Sequence, residues 1–330
     1  MTCYNPMIAL DTHELTENGK PKYKIYPWSW YKAILKSGIS LSSDYIQIPC
    51  GSCLGCRSDK ANDWSTRVLL EALNYNFNYF ITLTYDELHK PSMGSISKEH
   101  LRAFIKSVRN YWKKNFDLDG IRYFGCGEYG EHGLRPHYHV IMFNFPIFDL
   151  VLLPEDSKKG YVQYTSYVLN KLWSKGRVVI SKFQHAEGRY VAQYTTKKLR
   201  NEKISDDPFA SESTKWFNPY KKLGLIPPFL SMSTHPGLGY KWFTEHPEIY
   251  QTDSIVVATE DGGVNLAIPK YFDRKTVETN PDLIDSIKKK RKTNSEISTI
   301  INEKERGISH LQMLENNERF MKEKIRRSQR

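Results

Sequence analysis

Two periods of apolar and polar residues run through the middle of the chain, and each predicts a different element. In NYFITLTYDE (Asn78 to Glu87) aromatic and β-branched residues crowd together and end on acids, which predicts a strand. From Ser97, an expected N-cap, Leu101, Phe104, Ile105, Val108, Tyr111 and Trp112 recur at helical spacing, with Lys and Arg on the other face. Ile121 to Glu128 and Arg135 to Phe143 read as two strands joined by the Gly-containing YGEHGL, a hairpin. A helix is expected over Tyr164 to Trp173, a strand over Arg177 to Phe183, and a helix over Gly188 to Arg200.

The order βαββαβ predicts an α+β fold of the split βαβ kind. Its crossovers place helices on one face of an antiparallel sheet and leave the other free for a ligand. Before this core, Pro49 to Arg57 is a Cys and Gly loop that leads into a helix over Ser58 to Tyr75. After it, Asn201 to Tyr220 is polar and reads as a linker. Asp261, Gly262 and Gly263 suggest a hairpin turn. The expected division is an amino-terminal cysteine-rich extension (1–57), a core (58–215), a small β-rich region (216–274) and a basic tail (275–330). From Pro281 onward the tail holds 13 Lys and Arg against 8 acids, with KKKRK at Lys288 to Lys292. A solvated charged helix and a DNA contact both fit that composition.

Charge narrows the partner. The 330 residues carry a net charge of +11 and 13% aromatic residues, a combination that suits a polyanion, since cations neutralise phosphates and rings stack on exposed bases. No run of apolar residues is long enough to span a bilayer, and the amino terminus lacks the pattern of a secretory signal. The expectation is a soluble, cytoplasmic protein with no membrane partner. Cys50, Cys53 and Cys56 are too closely spaced for ordinary bridges. As CxxCxxC they offer three thiolates to structural Zn²⁺, with Cys3 the most available fourth donor; three small buried thiols would give the same spacing.

Two clusters carry candidate chemistry. His137 and His139, two apart in a strand, project from one sheet face, and Glu128 on the neighbouring strand can complete a two-His, one-carboxylate metal site. In RYVAQYTTKK, Tyr190 and Tyr194 share a helix face, and Lys197 and Lys198 follow one turn later. A phenol with a free pKa of about 10 is a poor nucleophile, but ammonium groups and a metal-bound phosphate favour its phenolate. Taken singly, each cluster also fits a bland role: histidines on a polar sheet edge, and an amphipathic helix packed on a sheet. Cys126 shares the face of Glu128 and reads as a small packing residue.

FITLTYDE, GLRPHYHVIMF and RYVAQYTTKK, in that order, resemble the three motifs of HUH endonucleases, the rolling-circle replication initiators. PCGSCLGCRSDKANDWSTR further resembles the amino-terminal signature of the replication initiation proteins of gokushovirus-type microviruses, which are small single-stranded DNA phages. The resemblance covers Cys3 to about Arg200, and more loosely Met232 to Gly239.

The resemblance implies that His137, His139 and Glu128 hold Mg²⁺ or Mn²⁺, and that a tyrosine attacks the scissile phosphate of single-stranded or extruded origin DNA. The 5′ end is then retained as a phosphotyrosine, the free 3′-hydroxyl primes the host polymerase, and the second tyrosine serves the later cut and closure of a circle. Gln193 stands where some members carry a lysine, leaving Lys197 and Lys198 to position phosphate. Arg135, Arg189 and Arg200 flank the motifs as candidate DNA-backbone contacts. The chain has no GxxxxGK[ST] phosphate loop, so duplex opening is expected to fall to a host helicase in the bacterial cytoplasm. The competing readings are a zinc-stabilised, non-catalytic single-strand binding protein and a related HUH plasmid initiator or transposase.

Overall fold

A computed structural model describes residues 3–37, 45–130, 133–154, 162–197, 202–203, 216–217, 220, 223–259 and 262–327. The chain divides into two compact units, 1–60 with 276–330, and 61–275.

In the first unit, β1 (Met7–Leu15) pairs antiparallel with both β2 (Pro21–Tyr26) and β3 (Tyr45–Ile48), giving a three-stranded sheet. Helix α1 (Trp28–Lys36) follows β2, and Ile8, Trp28, Tyr31 and Leu314 close a small core. Neither this sheet nor α1 was expected from the sequence. The basic tail is helical over α9 (Pro281–Arg306) and α10 (His310–Arg327).

The second unit is built on a seven-stranded sheet. Its strands are β4 (Asn78–Tyr85), β5 (Arg122–Tyr129), β6 (Pro136–Phe143), β7 (Leu150–Leu152), β8 (Tyr164–Ser166), β9 (Gly176–Lys182) and β12 (Phe229–Met232). They lie in the order β12-β5-β6-β4-β9-β8-β7, antiparallel throughout. Within the segment expected as a linker, β10 (Glu202–Lys203) pairs with β11 (Trp216–Phe217). The central strands match the sequence reading within one to three residues at their ends. Helix α3 (Lys98–Phe116) starts where expected, because the Ser97 side chain accepts a hydrogen bond from the His100 N–H. The helix expected over 164–173 is shorter, α4 (Tyr167–Trp173). Tyr164–Ser166 instead forms β8, and the Ser166 hydroxyl caps α4 through Leu169 N–H.

Period-two alternation sorts β4 onto two cores. Tyr79, Ile81, Leu83 and Tyr85 face α3 and α4, packing with Leu101, Phe104, Ile105, Val108, Trp112, Leu169 and Trp173. On the other face, Phe124, Cys126, Ile141 and Phe143 meet Val68 and Ala72 of α2 (Leu54–Ala72) and Val191 and Ala192 of α5 (His185–Lys197). The crossover helices thus lie on one face, as expected, but the second face is not left bare. The alternating apolar residues of that face demand cover too, and only its polar end stays uncovered by this packing. Cys126 is fully buried among these residues.

Residues 240–279 add α6 (Tyr240–Glu245), α7 (Ile249–Thr252), the hairpin of β13 (Ile255–Thr259) with β14 (Gly262–Leu266), and α8 (Lys270–Thr279). The hairpin lies where expected, although Asp261 falls outside the described residues. One buried ion pair ties the segment before α6 to the sheet. Arg122 Nε donates to Glu71 Oε1, Gly239 N–H donates to Glu71 Oε2 at 2.7 Å, and Arg122 Nη2 donates to the Pro236 carbonyl at 2.6 Å. Gly239 has φ +76°, and a side chain there would also crowd the Arg67 backbone.

Candidate functional site

Register brings Glu128 beside His137. In the β5–β6 pair Glu128 faces His137 and Cys126 faces His139, while in β4–β6 Thr82 faces His139. Tyr138, between the two histidines, turns into the opposite core.

His137 Nε2 lies 2.7 Å and His139 Nε2 3.1 Å from Glu128 Oε1. Both rings are oriented from behind. His137 Nδ1 donates to the Arg135 carbonyl at 3.0 Å, which leaves Nε2 with its lone pair toward the centre. His139 Nδ1 is 3.0 Å from the Thr82 hydroxyl, and Phe80 stacks flat on its ring at 5.3 Å. Glu128 is 1% exposed, and its Oε2 is buried with no hydrogen-bond partner. Burial pushes the Glu128 carboxyl up, but hydrogen bonds from His137 and His139 outweigh it and hold the group below the ordinary carboxylate range.

A buried carboxylate oxygen without a partner costs free energy that a cation would recover. Two imidazole nitrogens and one carboxylate within 4.8 Å of one another fit a divalent ion with open positions.

Helix α5 delivers Tyr190 to this centre. The Tyr190 ring stands edge-on to His139 at 5.4 Å and to Phe80 at 6.2 Å, and is 39% exposed. Gly188, two residues earlier, lies 3.0 Å from the Val68 side chain through its would-be Cβ, so a small residue lets α5 approach α2. Tyr194 and Lys197 belong to α5, one and two turns beyond Tyr190; their side chains lie outside the described set, as do Lys198 and Arg200 altogether.

The arginines differ. Arg135 is held in place, Nη1 donating to Glu87 at 2.5 Å and Nη2 to the Tyr85 carbonyl at 2.6 Å, so it braces the end of the β6 hairpin against β4. Arg189 is exposed on α5. Thr82, which orients His139, was missed in the sequence. Its signal was the Thr82 and Thr84 alternation within FITLTYDE, but only the strand register shows which histidine it meets.

A second metal-ligand group lies in the first unit. The Sγ atoms of Cys3, Cys50, Cys53 and Cys56 are within 4.8 Å of one another, with Cys3 to Cys53 at 3.9 Å and Cys50 to Cys56 at 4.0 Å. Four sulfurs at about 2.3 Å from one tetrahedral zinc would stand about 3.8 Å apart, so the set fits that ion. The N–H groups of Tyr4 and Cys56 donate to Cys53 Sγ at 3.4 Å, and that of Cys53 donates to Cys50 Sγ at 3.3 Å. A hydrogen bond from the Cys53 thiol and N–H donors of the loop pull the Cys50 thiol down to about 4, toward the thiolate that metals take.

Residues 78–199, which span the triad and α5, match the family model of the replication-associated protein ORF2. The chain is 36% identical over 302 residues to the replication-associated protein ORF2 of Spiroplasma virus 4, covering 88% of this chain and 86% of that protein. It is 28% identical over 243 residues to the replication-associated protein VP4 of Bdellovibrio phage phiMH2K, covering 71% and 69%. With the replication-associated protein ORF4 of Chlamydia phage 1 it shares 30% identity over 155 residues, 46% of this chain and 38% of that one. No solved structure matches. Among the described residues no helix is long and apolar enough to cross a membrane. The chain belongs to the ORF2 family of phage replication-associated proteins.

Proposed function

We propose that this protein initiates rolling-circle replication by nicking single-stranded or extruded phage origin DNA through a tyrosine and later rejoining the ends. The observation that carries the reading is the contact of the Tyr190 ring with His139, itself part of a buried two-His, one-carboxylate group. A phenol beside a cation site on a rigid sheet is the pair of groups that phosphoryl transfer to tyrosine needs.

Glu128, His137 and His139 hold Mg²⁺ or Mn²⁺, which as a Lewis acid polarises the scissile phosphate. Thr82 and the Arg135 carbonyl fix the imidazoles so that both Nε2 atoms face that ion. Tyr190 attacks phosphorus. The P–Oη bond forms as the P–O3′ bond breaks, the phenol proton passes to solvent, and the departing 3′ oxygen takes one up. One phosphodiester is exchanged for another, so no nucleotide fuel is consumed. Tyr194, one turn on along α5, is the second nucleophile that cuts the regenerated junction and frees a 3′-hydroxyl to close the circle. Lys197 and Lys198 neutralise charge on the phosphate, and Arg189 and Arg200 hold the strand. The partners are then origin DNA, a host helicase and a host polymerase, in the cytoplasm of the infected bacterium.

In this reading the four cysteines hold Zn²⁺, a structural clip between the segment before β1 and the loop after β3.

Incubation with a labelled origin oligonucleotide and Mn²⁺ tests the proposal. A covalent adduct, lost when Tyr190 and Tyr194 are both replaced by Phe, is the expected result. Tight binding with no adduct would leave a binding protein and no enzyme.

A further inference from the structure

Lys98, Arg102, Lys106, Arg109 and Lys113 recur along α3 at intervals of four, four, three and four residues, and all five are exposed. At 100° per residue they fall within about 80° of the helix circumference, flanking the apolar stripe that faces the sheet. Lys113 is taken by Asp117 and Asp119 at 2.7 and 2.6 Å. The other four make no ion pair with a described residue. Glu99, the acid of the first turn, accepts a hydrogen bond from the Ser97 hydroxyl at 3.0 Å.

Two of the four heads are fixed by the sheet edge. Arg109 lies over the Tyr123 ring at 5.6 Å, its Nε and Nη2 donating to the Ile121 carbonyl at 3.0 and 2.9 Å and its Nη2 also to the Ser233 hydroxyl at 3.2 Å. Lys98 Nζ lies over Phe229 of β12 at 5.4 Å. A groove of about 220 Å³ opens along the stripe between Arg102, Lys106, Arg109 and Tyr123. The stripe lies on the face of the sheet that carries α3, whereas Glu128, His137 and His139 lie on the other.

The geometry points to a second nucleic-acid surface: the α3 stripe grips the phosphate backbone of duplex DNA, on the side of the sheet away from the cutting site. From Lys98 to Arg109 the cations span roughly 16 Å of rigid helix. One strand of a duplex advances 3.4 Å per phosphate, so the stripe tracks about five phosphates. A single strand is the poorer fit, because surfaces for single strands offer exposed rings on which bases stack. Here Tyr123 and Phe229 are 9% and 8% exposed and serve the cations instead. The Lys288 to Lys292 run is a weaker candidate, since Lys288 and Lys292 pair with Asp285 and Glu296 on their own helix. The identification of the polyanion as DNA rests on the replication reading above; which residue cuts does not enter.

The test compares the full-length protein with Arg102→Gln/Lys106→Gln, and with Lys22→Gln/Lys24→Gln as a control that removes equal charge from β2. Binding to a fluorescent duplex and to a single strand of equal length is followed by anisotropy over a salt series. The duplex slope of log K against log salt should fall by about 2 in the α3 variant alone. Its single-strand slope should hold. An unchanged duplex slope overturns the proposal, and so does an equal loss in the control or for the single strand. Adduct formation by the unsubstituted protein is scored separately, so failure of the cutting reading is distinguishable from failure of this one.

Discussion

The Tyr190 ring meets the edge of His139 at 5.4 Å, so the helix that carries the tyrosines and the strand that carries the histidines converge on one spot of the sheet. In sequence the two residues are far apart, and their meeting follows from β6 lying between β5 and β4, with α5 packed across β5 and β6 through Val191 and Ala192.

Thr82→Val removes the hydroxyl behind His139 while keeping a β-branched side chain in β4. Mn²⁺ affinity, measured by calorimetric titration, should fall by about 10 to 100-fold with the far-UV spectrum unchanged. Glu128→Gln should weaken Mn²⁺ at least as much. Wild-type affinity in both variants would remove the metal from Glu128, His137 and His139.

Purified protein should carry one zinc per chain by elemental analysis, and Cys53→Ser should lose it together with several degrees of melting temperature. A metal-free protein of normal stability would leave the four cysteines as packing residues.

Glu71→Ala should cost about 3–5 kcal/mol, because it strands the buried Arg122 guanidinium and deprives Gly239 N–H of its acceptor. Urea unfolding reads this directly. A loss below about 1 kcal/mol would mean that water replaces the carboxylate without penalty.

His100 gives the stability a pH dependence. Its Nδ1 lies 2.7 Å from the Tyr85 hydroxyl, and burial, then the charge of Lys175, lower its pKa below the ordinary 6.5. The unfolded chain therefore binds this proton more tightly. The stability contributed is present above about pH 6.5 and is lost as pH falls through the lowered folded value. The urea midpoint should drop between about pH 7.5 and pH 5.5, and the drop should shrink in His100→Gln. A full acid drop in that variant would assign the effect elsewhere.

Much of this was legible from residue patterns. The helix after Ser97, the central strands and the shared face of His137 and His139 follow from local period and capping, which need no tertiary information. Glu128 was within reach because it lies at the end of its strand, yet its pairing with His137 depended on hairpin register. The three-residue strands β7 and β8 exist through their neighbours alone and carry no period to detect. The sheet of β1, β2 and β3 was missed for a related reason: β2 is almost wholly exposed, so its sequence PKYKIY has little apolar alternation. The cover over the second sheet face was readable in principle, since Phe80, Phe124, Ile141 and Phe143 all point there and require burial.

The most direct test is to digest the covalent product of protein, Mn²⁺ and origin oligonucleotide with protease and nuclease and to locate the attached nucleotide by mass spectrometry. The account predicts a 5′-phosphate on a peptide from α5, at Tyr190 or Tyr194. A nucleotide attached at any residue outside α5, or cleavage that leaves no protein-bound nucleotide, would contradict it.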